Sequence, residues 1–189
     1  MTVPRQAALD FLRSHSADTM THLNGTLFDH LVATEDLLRT WGSSERLCLA
    51  GLCHATYGTD GFAPSLAPWE DRTVLAGVVG GDVEDTVYFY ASCDRSLLSR
   101  QGPVCFRDRF LEETFEPSEA QLRDFADLTL ANELEIALAG SDTGLSDRSS
   151  APPPWIGPLV EQLESRASPG ALRGARRLLD GDEVTLIRP

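Results

Sequence analysis

The sequence contains no lysine, and all sixteen of its basic residues are arginine. Schiff-base catalysis, covalently bound pyridoxal phosphate and a Walker-type phosphate loop each require a lysine, so all three are excluded. Three sequence signatures are also missing, namely the GxSxG elbow, the GxGxxG loop that follows a strand and the HExxH zinc helix. Any enzymatic function must therefore depend on another residue pattern.

Cysteine is scarce and is not arranged in pairs of the CxxC type. The spacing of the four cysteines fits neither a zinc finger nor a small disulfide scaffold, and two of them fall in an apolar helical run where a thiol behaves as a small hydrophobic group. The N-terminus has no apolar signal core, and no apolar run is long enough to span a membrane. We therefore expect a reduced, cytoplasmic protein without a membrane partner.

The charge balance is strongly acidic, with a formal net charge of −13 at pH 7 and a pI of about 4.6. Such a surface repels phosphate backbones, and no basic stripe offsets it, so nucleic-acid binding is not expected. A small anionic ligand stays compatible with this charge, because a few arginines can dominate locally. The candidates are Arg72, Arg95, Arg107 and Arg109, for which surface salt bridges are the competing use.

The apolar periodicity predicts an all-α fold. A first helix is expected from Val3 to Arg13, and a second follows Thr26 as N-cap and ends at Gly42. Ser43 or Ser44 then caps a third helix, which Gly58 is expected to stop. Further helices are predicted at Trp69–Val79, at Val83–Ser92, and from the Pro117-Ser118 start to Gly140.

The 189-residue chain is long enough for one domain of ordinary core size. We assign residues 1–140 to a helical bundle and the Pro- and Ser-rich residues 141–154 to a linker. Residues 155–189 then form a small C-terminal helical appendage, with helical patterns around Leu159 and Leu172. The tail 182–189 is expected either to form one strand or to dock. Association into a homo-oligomer is compatible with the sequence.

Two histidines on consecutive helices are the most informative feature. His30 belongs to the apolar row of the second helix with Leu27 and Leu31, and His54 lies on the small apolar face of the third helix. If the two helices pack as an antiparallel hairpin, both imidazoles face one interior, which is a common start for a metal site in a helical bundle. The competing interpretation is two hydrogen-bonded core histidines.

The stretch TLFDHLVATEDLLRTWG followed by LCLAGLCHATYGTDGF resembles the first two metal-binding helices of the HD-domain superfamily. It is also similar to an uncharacterised bacterial family in which a DHL motif is followed by AGLxHxxYGT. The resemblance covers roughly His22 to Phe62. It implies a helical bundle with a divalent metal (Zn, Mn or Fe) held by His30 and His54.

The sequence departs from the superfamily where an aspartate is expected after the second histidine, because this position is Ala55. A dinuclear centre is therefore not expected, whereas a mononuclear one is. Asp127, in FADLTLANELE, occupies the helix from which the superfamily supplies its last carboxylate, and this segment faintly resembles the aspartate-and-asparagine motif of the guanosine-tetraphosphate hydrolases. Asp60 and Glu84 compete with it, and a solvated helix face would also explain Asp127.

The same motif suggests three catalytic candidates. His22 precedes the second helix and is placed to complete the metal shell or to contact substrate, Tyr57 to donate a proton, and Asp60 to shuttle one. A surface histidine, a packed tyrosine and ordinary turn chemistry are their respective structural alternatives.

Three functions remain open from these residues. The first is a divergent HD-type, metal-dependent hydrolase acting on a small, anionic metabolite. The second is an iron-dependent oxygenase or lyase on the same scaffold. The third is a metal-free acid-base enzyme, or a small-molecule-binding protein, that retains the helical fold around a degenerate metal site.

Overall fold

The computed structural model describes residues 4–23, 25–95, 106–141 and 153–180. Within these ranges the chain is predominantly helical, as predicted, but it also contains two hairpins of two-residue strands that the all-α prediction missed. The helices are α1 (Pro4–Ser14), α2 (Leu27–Thr40), α3 (Glu45–Cys53), α4 (Arg72–Val79), α5 (Gly81–Ser92), α6 (Glu119–Ser141), α7 (Ile156–Leu163) and α8 (Pro169–Leu179), with a short 3-10 helix at Trp69–Asp71.

The two hairpins are antiparallel and each joins short strands. Strands β1 (Thr21–His22) and β2 (Gly25–Thr26) pair immediately before α2. Strands β3 (Phe106–Arg107) and β4 (Thr114–Phe115) pair immediately before α6. Strands of two residues were too short to be recognised as an alternating pattern in the sequence.

The starts of α2 and α3 follow the predicted caps. Thr26 closes a capping box with Asp29, in which the Asp29 amide donates to Thr26 Oγ1 at 3.2 Å and the Thr26 amide donates to Asp29 Oδ2 at 3.0 Å. Ser44, one of the two expected residues, caps α3 by accepting from the Leu47 amide at 3.2 Å. These bonds satisfy amides that a helix start would otherwise leave unpaired.

The end of α3 differs from the prediction. The helix ends at Cys53, with His54 as its C-cap, rather than continuing to Gly58. The Thr56 amide then donates to Cys53 O and the Gly58 amide to Ala55 O, so the chain tightens into turns. Gly58 itself has φ +71°, and a Cβ there would lie 3.1 Å from two carbonyl oxygens, which explains the requirement for glycine.

Helix α2 lies at the centre, packed against α3 and the long helix α6. Helix α3 also packs against α1 and α5, and α4 packs against both α1 and α5. Helices α2 and α3 pack closely at Gly51, where a Cβ would lie 2.5 Å from Leu38 Cδ1. This small residue therefore allows the two helices that carry His30 and His54 to come together, as expected for a small apolar face.

The two C-terminal helices α7 and α8 pack against α6 and against each other, and their buried side chains belong to the same core cluster as those of α2 and α3. Gly170 and Gly174 of α8 lie directly against Trp41, which follows α2. The predicted linker falls mostly on residues 142–152, and the predicted tail on 182–189, both outside the described residues.

The described cysteines are buried hydrophobic groups, as expected. Burial raises the pKa of Cys48 to about 11 and that of Cys53 and Cys93 to about 12, so each thiol stays protonated at neutral pH. Among the described residues, none of the helices combines the length and the apolar character needed to cross a membrane.

We expect Gly51→Ala to lower the free energy of unfolding by about 1 kcal/mol, because overpacking against the fully buried Leu38 outweighs the higher helix propensity of alanine. Gly77→Ala is the matched control, since Gly77 lies in α4 with open space around it. It should raise the same free energy by about 1 kcal/mol. Urea unfolding followed by circular dichroism measures both, and equal changes of the same sign would contradict the close-packing role of Gly51.

Candidate functional site

The structure brings His30 of α2 and His54 at the end of α3 into direct contact. The two ring planes lie at 73° to each other, and the ring centroids are 5.2 Å apart. The two Nε2 atoms are 3.4 Å apart. Both side chains are almost fully buried, with 4% of His30 and 1% of His54 exposed. The predicted convergence of the two imidazoles is therefore present in the fold.

The other ring nitrogen of each histidine, Nδ1, faces an oxygen atom that accepts a hydrogen bond. His30 Nδ1 lies 2.5 Å from Glu135 Oε2 of α6, and His54 Nδ1 lies 2.8 Å from the Gly51 carbonyl oxygen. With ionised Glu135, both Nδ1 atoms must carry the hydrogen, and this hydrogen-bond network assigns the tautomer. When the rings are neutral, both Nε2 atoms therefore present a lone pair toward each other.

A third acceptor atom faces the same space. Asn132 Oδ1 lies 3.1 Å from His30 Nε2. The amide is held in this orientation because Asn132 Nδ2 donates to Glu133 Oε1 at 3.0 Å. Three lone-pair atoms that face one another require a hydrogen-bond donor or a metal cation between them.

The spacing of the two Nε2 atoms matches one of these solutions. Two nitrogens at the usual Zn–N distance on one tetrahedral ion are about 3.3 Å apart. However, across the described ranges no group of three or more His, Cys, Asp or Glu side chains is gathered in a way that could hold a metal ion. The protein therefore provides a histidine pair with a neighbouring amide, rather than a complete set of these ligands.

His22 lies over this pair. It belongs to β1, and its ring is 4.5 Å from the His30 ring and 4.8 Å from the ring of Phe62. Its Nε2 atom is buried and has no hydrogen-bond partner in the described part of the chain. The adjoining Leu23 has φ +49°, a left-handed conformation that costs a non-glycine residue roughly 1–2 kcal/mol. The predicted proximity of His22 is thus observed, and a tight turn maintains it.

Two of the three histidines are held in the neutral form by their surroundings. Burial, followed by the effect of the neighbouring His30, lowers the pKa of His54 to about 3. Burial, followed by the effect of His30, lowers the pKa of His22 to about 4. Both imidazoles are therefore neutral at pH 7 and have a nitrogen available as an acceptor.

The structure does not place Asp127 beside the histidines. Its Oδ1 accepts from the Ser168 amide at 2.7 Å and so fixes the start of α8. Burial raises the pKa of its carboxyl group, against the lowering effect of the Ser168 bonds. Asp127 precedes Glu135 by about two turns of α6, or about 12 Å along the axis. Glu135 is the α6 carboxylate that contacts His30, and it does so at Nδ1 rather than beside the two Nε2 atoms.

Tyr57 and Glu84 belong to a different cluster. The Tyr57 hydroxyl donates to Glu84 Oε1 at 2.9 Å, and Arg72 binds the same carboxylate through Nε at 2.8 Å and 3.0 Å and through Nη2 at 2.5 Å. Burial and the nearby Glu84 charge raise the pKa of Tyr57, so its hydroxyl remains a donor. The predicted proton-donating role at the histidines is not supported by this arrangement, because α5 supplies the partner for Tyr57.

Asp60 is connected to the site only through the backbone of Arg95. Its Oδ2 accepts from the Arg95 amide at 2.8 Å, so it fixes the backbone just after α5 rather than facing the histidines. The turn around it is closed by the bridge between Thr59 and Phe62, which confirms the turn expected there. Asp60 therefore positions Arg95, one of the four arginines that the sequence suggested as anion ligands.

The four candidate arginines are used differently. Arg72 forms ion pairs with the carboxylates of Glu84 and Asp85. Arg109 donates to the Ala91 carbonyl oxygen, and Arg107 is exposed, with carboxylates at 3.8 and 3.9 Å. Arg95 is different, because its Nε and Nη2 atoms are buried without a hydrogen-bond partner among the described residues. Such unpaired donors cost about 1–3 kcal/mol each.

Sequence reasoning missed Asn132 and Glu135 as site residues. Both lie in α6, three residues apart, and both are buried, with 7% and 4% exposed respectively. A signal was present, since Thr129, Asn132 and Glu135 recur at intervals of three residues and share one face of the helix. A buried polar row of this kind is expected to face a partner that satisfies it.

The low pKa of His54 makes stability depend on pH. Unfolding restores the ordinary pKa of about 6.5, so below this pH the unfolded state binds a proton that the folded state does not. The free energy of unfolding should therefore be highest above pH 6.5, and this group should lower it by up to about 1.4 kcal/mol per pH unit on acidification toward pH 3. Urea unfolding in EDTA at pH 7, 6 and 5 tests this, with a shallower pH dependence expected for His54→Gln. Identical slopes would contradict the effect.

Residues 11–95, slightly less than half of the chain, match a sequence family described as a domain of unknown function (DUF6817). The matched stretch contains His22, His30, His54 and Arg95, whereas Asn132 and Glu135 lie beyond it. No curated protein matches the chain, and no solved structure does.

Proposed function

We propose that this protein is a metal-dependent enzyme of the HD type in which His30 and His54 bind one divalent metal ion. The observation that carries the proposal is the 3.4 Å separation of their Nε2 atoms. Each Nδ1 atom has an accepting partner behind it, Glu135 for His30 and the Gly51 carbonyl for His54. A carboxylate or carbonyl in this position orients a metal-ligating imidazole and increases its basicity.

Two further residues lie beside the pair, although no group of three or more His, Cys, Asp or Glu side chains in the described ranges is arranged to hold a metal ion. Asn132 Oδ1 lies 3.1 Å from His30 Nε2, and the buried His22 Nε2 has no partner in the described chain. Ala55 stands where the superfamily carries its aspartate, and Asp127 is engaged at α8. We therefore propose a mononuclear site in which His30 and His54 supply the two nitrogen ligands and Asn132 is the additional candidate, a set that suits zinc or iron better than manganese.

We infer that the reaction is hydrolysis of a small, anionic metabolite. A divalent ion at this position would supply a bound water of lowered pKa and would polarise a phosphoryl or carbonyl oxygen. Glu135 maintains the His30 tautomer, and His22, neutral at pH 7, is able to accept a proton above the pair. Arg95 contributes the positive charge that an anionic substrate requires.

A second candidate is a metal-free acid-base enzyme, which the 2.5 Å contact between His30 Nδ1 and Glu135 Oε2 favours. A carboxylate bonded to Nδ1 stabilises an imidazolium, and the proton on His30 Nε2 would then satisfy both Asn132 Oδ1 and His54 Nε2. In this alternative, His30 exchanges a proton with the substrate, and Asn132 and His54 hold its ring in place.

The metal proposal predicts near-stoichiometric zinc or iron in protein purified without an affinity metal or chelator, as measured by elemental analysis. His30→Ala and His54→Ala should each abolish the bound metal, because each removes one ligand. Glu135→Gln should retain both ligands but weaken metal affinity about 10–100-fold. His15→Ala is the matched control, since His15 lies after α1 and contacts the Phe11 carbonyl oxygen.

The outcomes separate the candidates. Metal retained in both His30→Ala and His54→Ala would reject the ligand assignment. No metal in the wild-type protein, even after reconstitution with zinc or ferrous iron, would reject the metal proposal and favour the acid-base alternative. Iron in place of zinc would favour oxygenase or lyase chemistry on the same scaffold over hydrolysis.

A further inference from the structure

Beside the histidine pair, three neighbouring residues bury hydrogen-bond donors that have no hydrogen-bond partner within the described part of the chain. The atoms are Arg95 Nε and Nη2, the Tyr90 hydroxyl and Thr129 Oγ1. Tyr90 is 1% exposed and Thr129 5% exposed, so water does not reach these side chains freely. Buried polar groups are paired in nearly all native structures, so a group without a partner calls for an explanation, such as a bound ion or a functional role.

These three residues lie together. The Arg95 guanidinium lies over the Tyr90 ring, 4.8 Å from its centroid. The Arg95 guanidinium and the Thr129 hydroxyl both lie close enough to the Tyr90 hydroxyl to lower its pKa, against the larger raising effect of burial. Neither contact meets the distance and angle required for a hydrogen bond. Tyr90 also meets the His54 ring edge to face at a centroid distance of 5.5 Å. The group, which we call the Arg95 cluster (Arg95, Tyr90 and Thr129), therefore adjoins the histidine pair.

The free atoms of Arg95 form one particular edge of the guanidinium group. Its Nη1 atom lies 3.5 Å from Glu133 Oε1, and its backbone amide is bound by Asp60. The unpaired Nε and Nη2 atoms share the other edge, on which two parallel N–H bonds point the same way. This edge binds carboxylate and phosphate oxygens in a bidentate manner.

The chemistry of the cluster specifies an acceptor. Arg95 can only donate, and the two hydroxyl groups can donate as well, so all four buried atoms are able to donate and none has a bonded acceptor among the described residues. The contrast with Arg72 is informative, since Glu84 and Asp85 occupy its donors. An oxyanion, with several lone pairs and a negative charge, satisfies all four donors at once.

We propose that the Arg95 cluster is the binding site for an oxyanion, a phosphate or carboxylate group, of the molecule that reaches the histidine pair. The bidentate edge of Arg95 holds two oxygens, and the Tyr90 and Thr129 hydroxyl groups bind the remaining lone pairs. The inference rests on the proposed function only in placing the reacting part of that molecule at His30 and His54. Binding of the anion itself does not require a metal.

The experiment is titration of EDTA-treated, full-length protein with inorganic phosphate and, separately, with acetate, followed by calorimetry and by the shift in melting temperature. We expect one of the two anions to bind the wild-type protein. Arg95→Gln should weaken its binding about tenfold or more, and Thr129→Val and Tyr90→Phe should each weaken it several-fold. Arg176→Gln is the charge-matched control, because Arg176 is exposed and pairs with Glu164 on the far helices.

A second readout separates ligand binding from a structural role. Because the Thr129 hydroxyl has no partner in the described structure, Thr129→Val should leave the melting temperature of the anion-free protein unchanged or raise it. The same variant should lose part of the anion-induced shift. This combination keeps the test decisive even if Arg95→Gln fails to fold.

Preference for phosphate over acetate would assign a phosphoryl group, and the reverse preference a carboxylate. Absence of binding by both anions, or equal weakening in Arg176→Gln and Arg95→Gln, would overturn the proposal. The metal is removed throughout, so anion binding without any metal site would leave this inference standing while the proposed function fails. Metal binding by His30 and His54 without anion binding would leave the proposed function standing while this inference fails.

Discussion

The contact between His30 Nδ1 and Glu135 Oε2 is the interaction on which the rest of the site depends. It connects α2 to α6 through two groups that are both at least 95% buried. Removal of either partner would leave the other polar group unsatisfied in the core, at a cost of about 3–5 kcal/mol if that group is charged. The contact also determines which His30 nitrogen is free, so one bond contributes to the packing of the bundle and to the chemistry of the pair.

Two buried polar clusters flank α5, and their difference distinguishes structure from function. Around Glu84, each donor has an acceptor, because Arg72 and Tyr57 both bind its carboxylate. Around Tyr90 and Arg95, the donors have no bonded acceptor among the described residues. A satisfied network makes a fold rigid and specific, whereas unsatisfied donors are costly and persist where a ligand completes them. We therefore infer that the two clusters have different roles, the first in holding the fold together and the second in binding a ligand.

Much of the helical framework could be predicted from local sequence. Thr26 and Ser44 cap the helices expected to follow them, because their side chains bond amides only three residues away. His30 was recognisable as an inward-facing residue because helical periodicity places it one turn after Leu27 and one turn before Thr34. The short strands and the early end of α3 could not be predicted, since hairpin pairing and the turn after Cys53 depend on contacts that local propensity does not describe.

The sequence by itself determined which residues share a helix face, and hence that His30 and His54 face the interior. Only the tertiary structure decided which carboxylate meets them. Asp127 and Glu135 lie in the same helix, but the packing of α2 and α8 on α6 places the first at Ser168 and the second at His30. The physical reason is that periodicity fixes directions around one helix axis, whereas the axial position of each neighbouring helix comes from side-chain packing between distant segments.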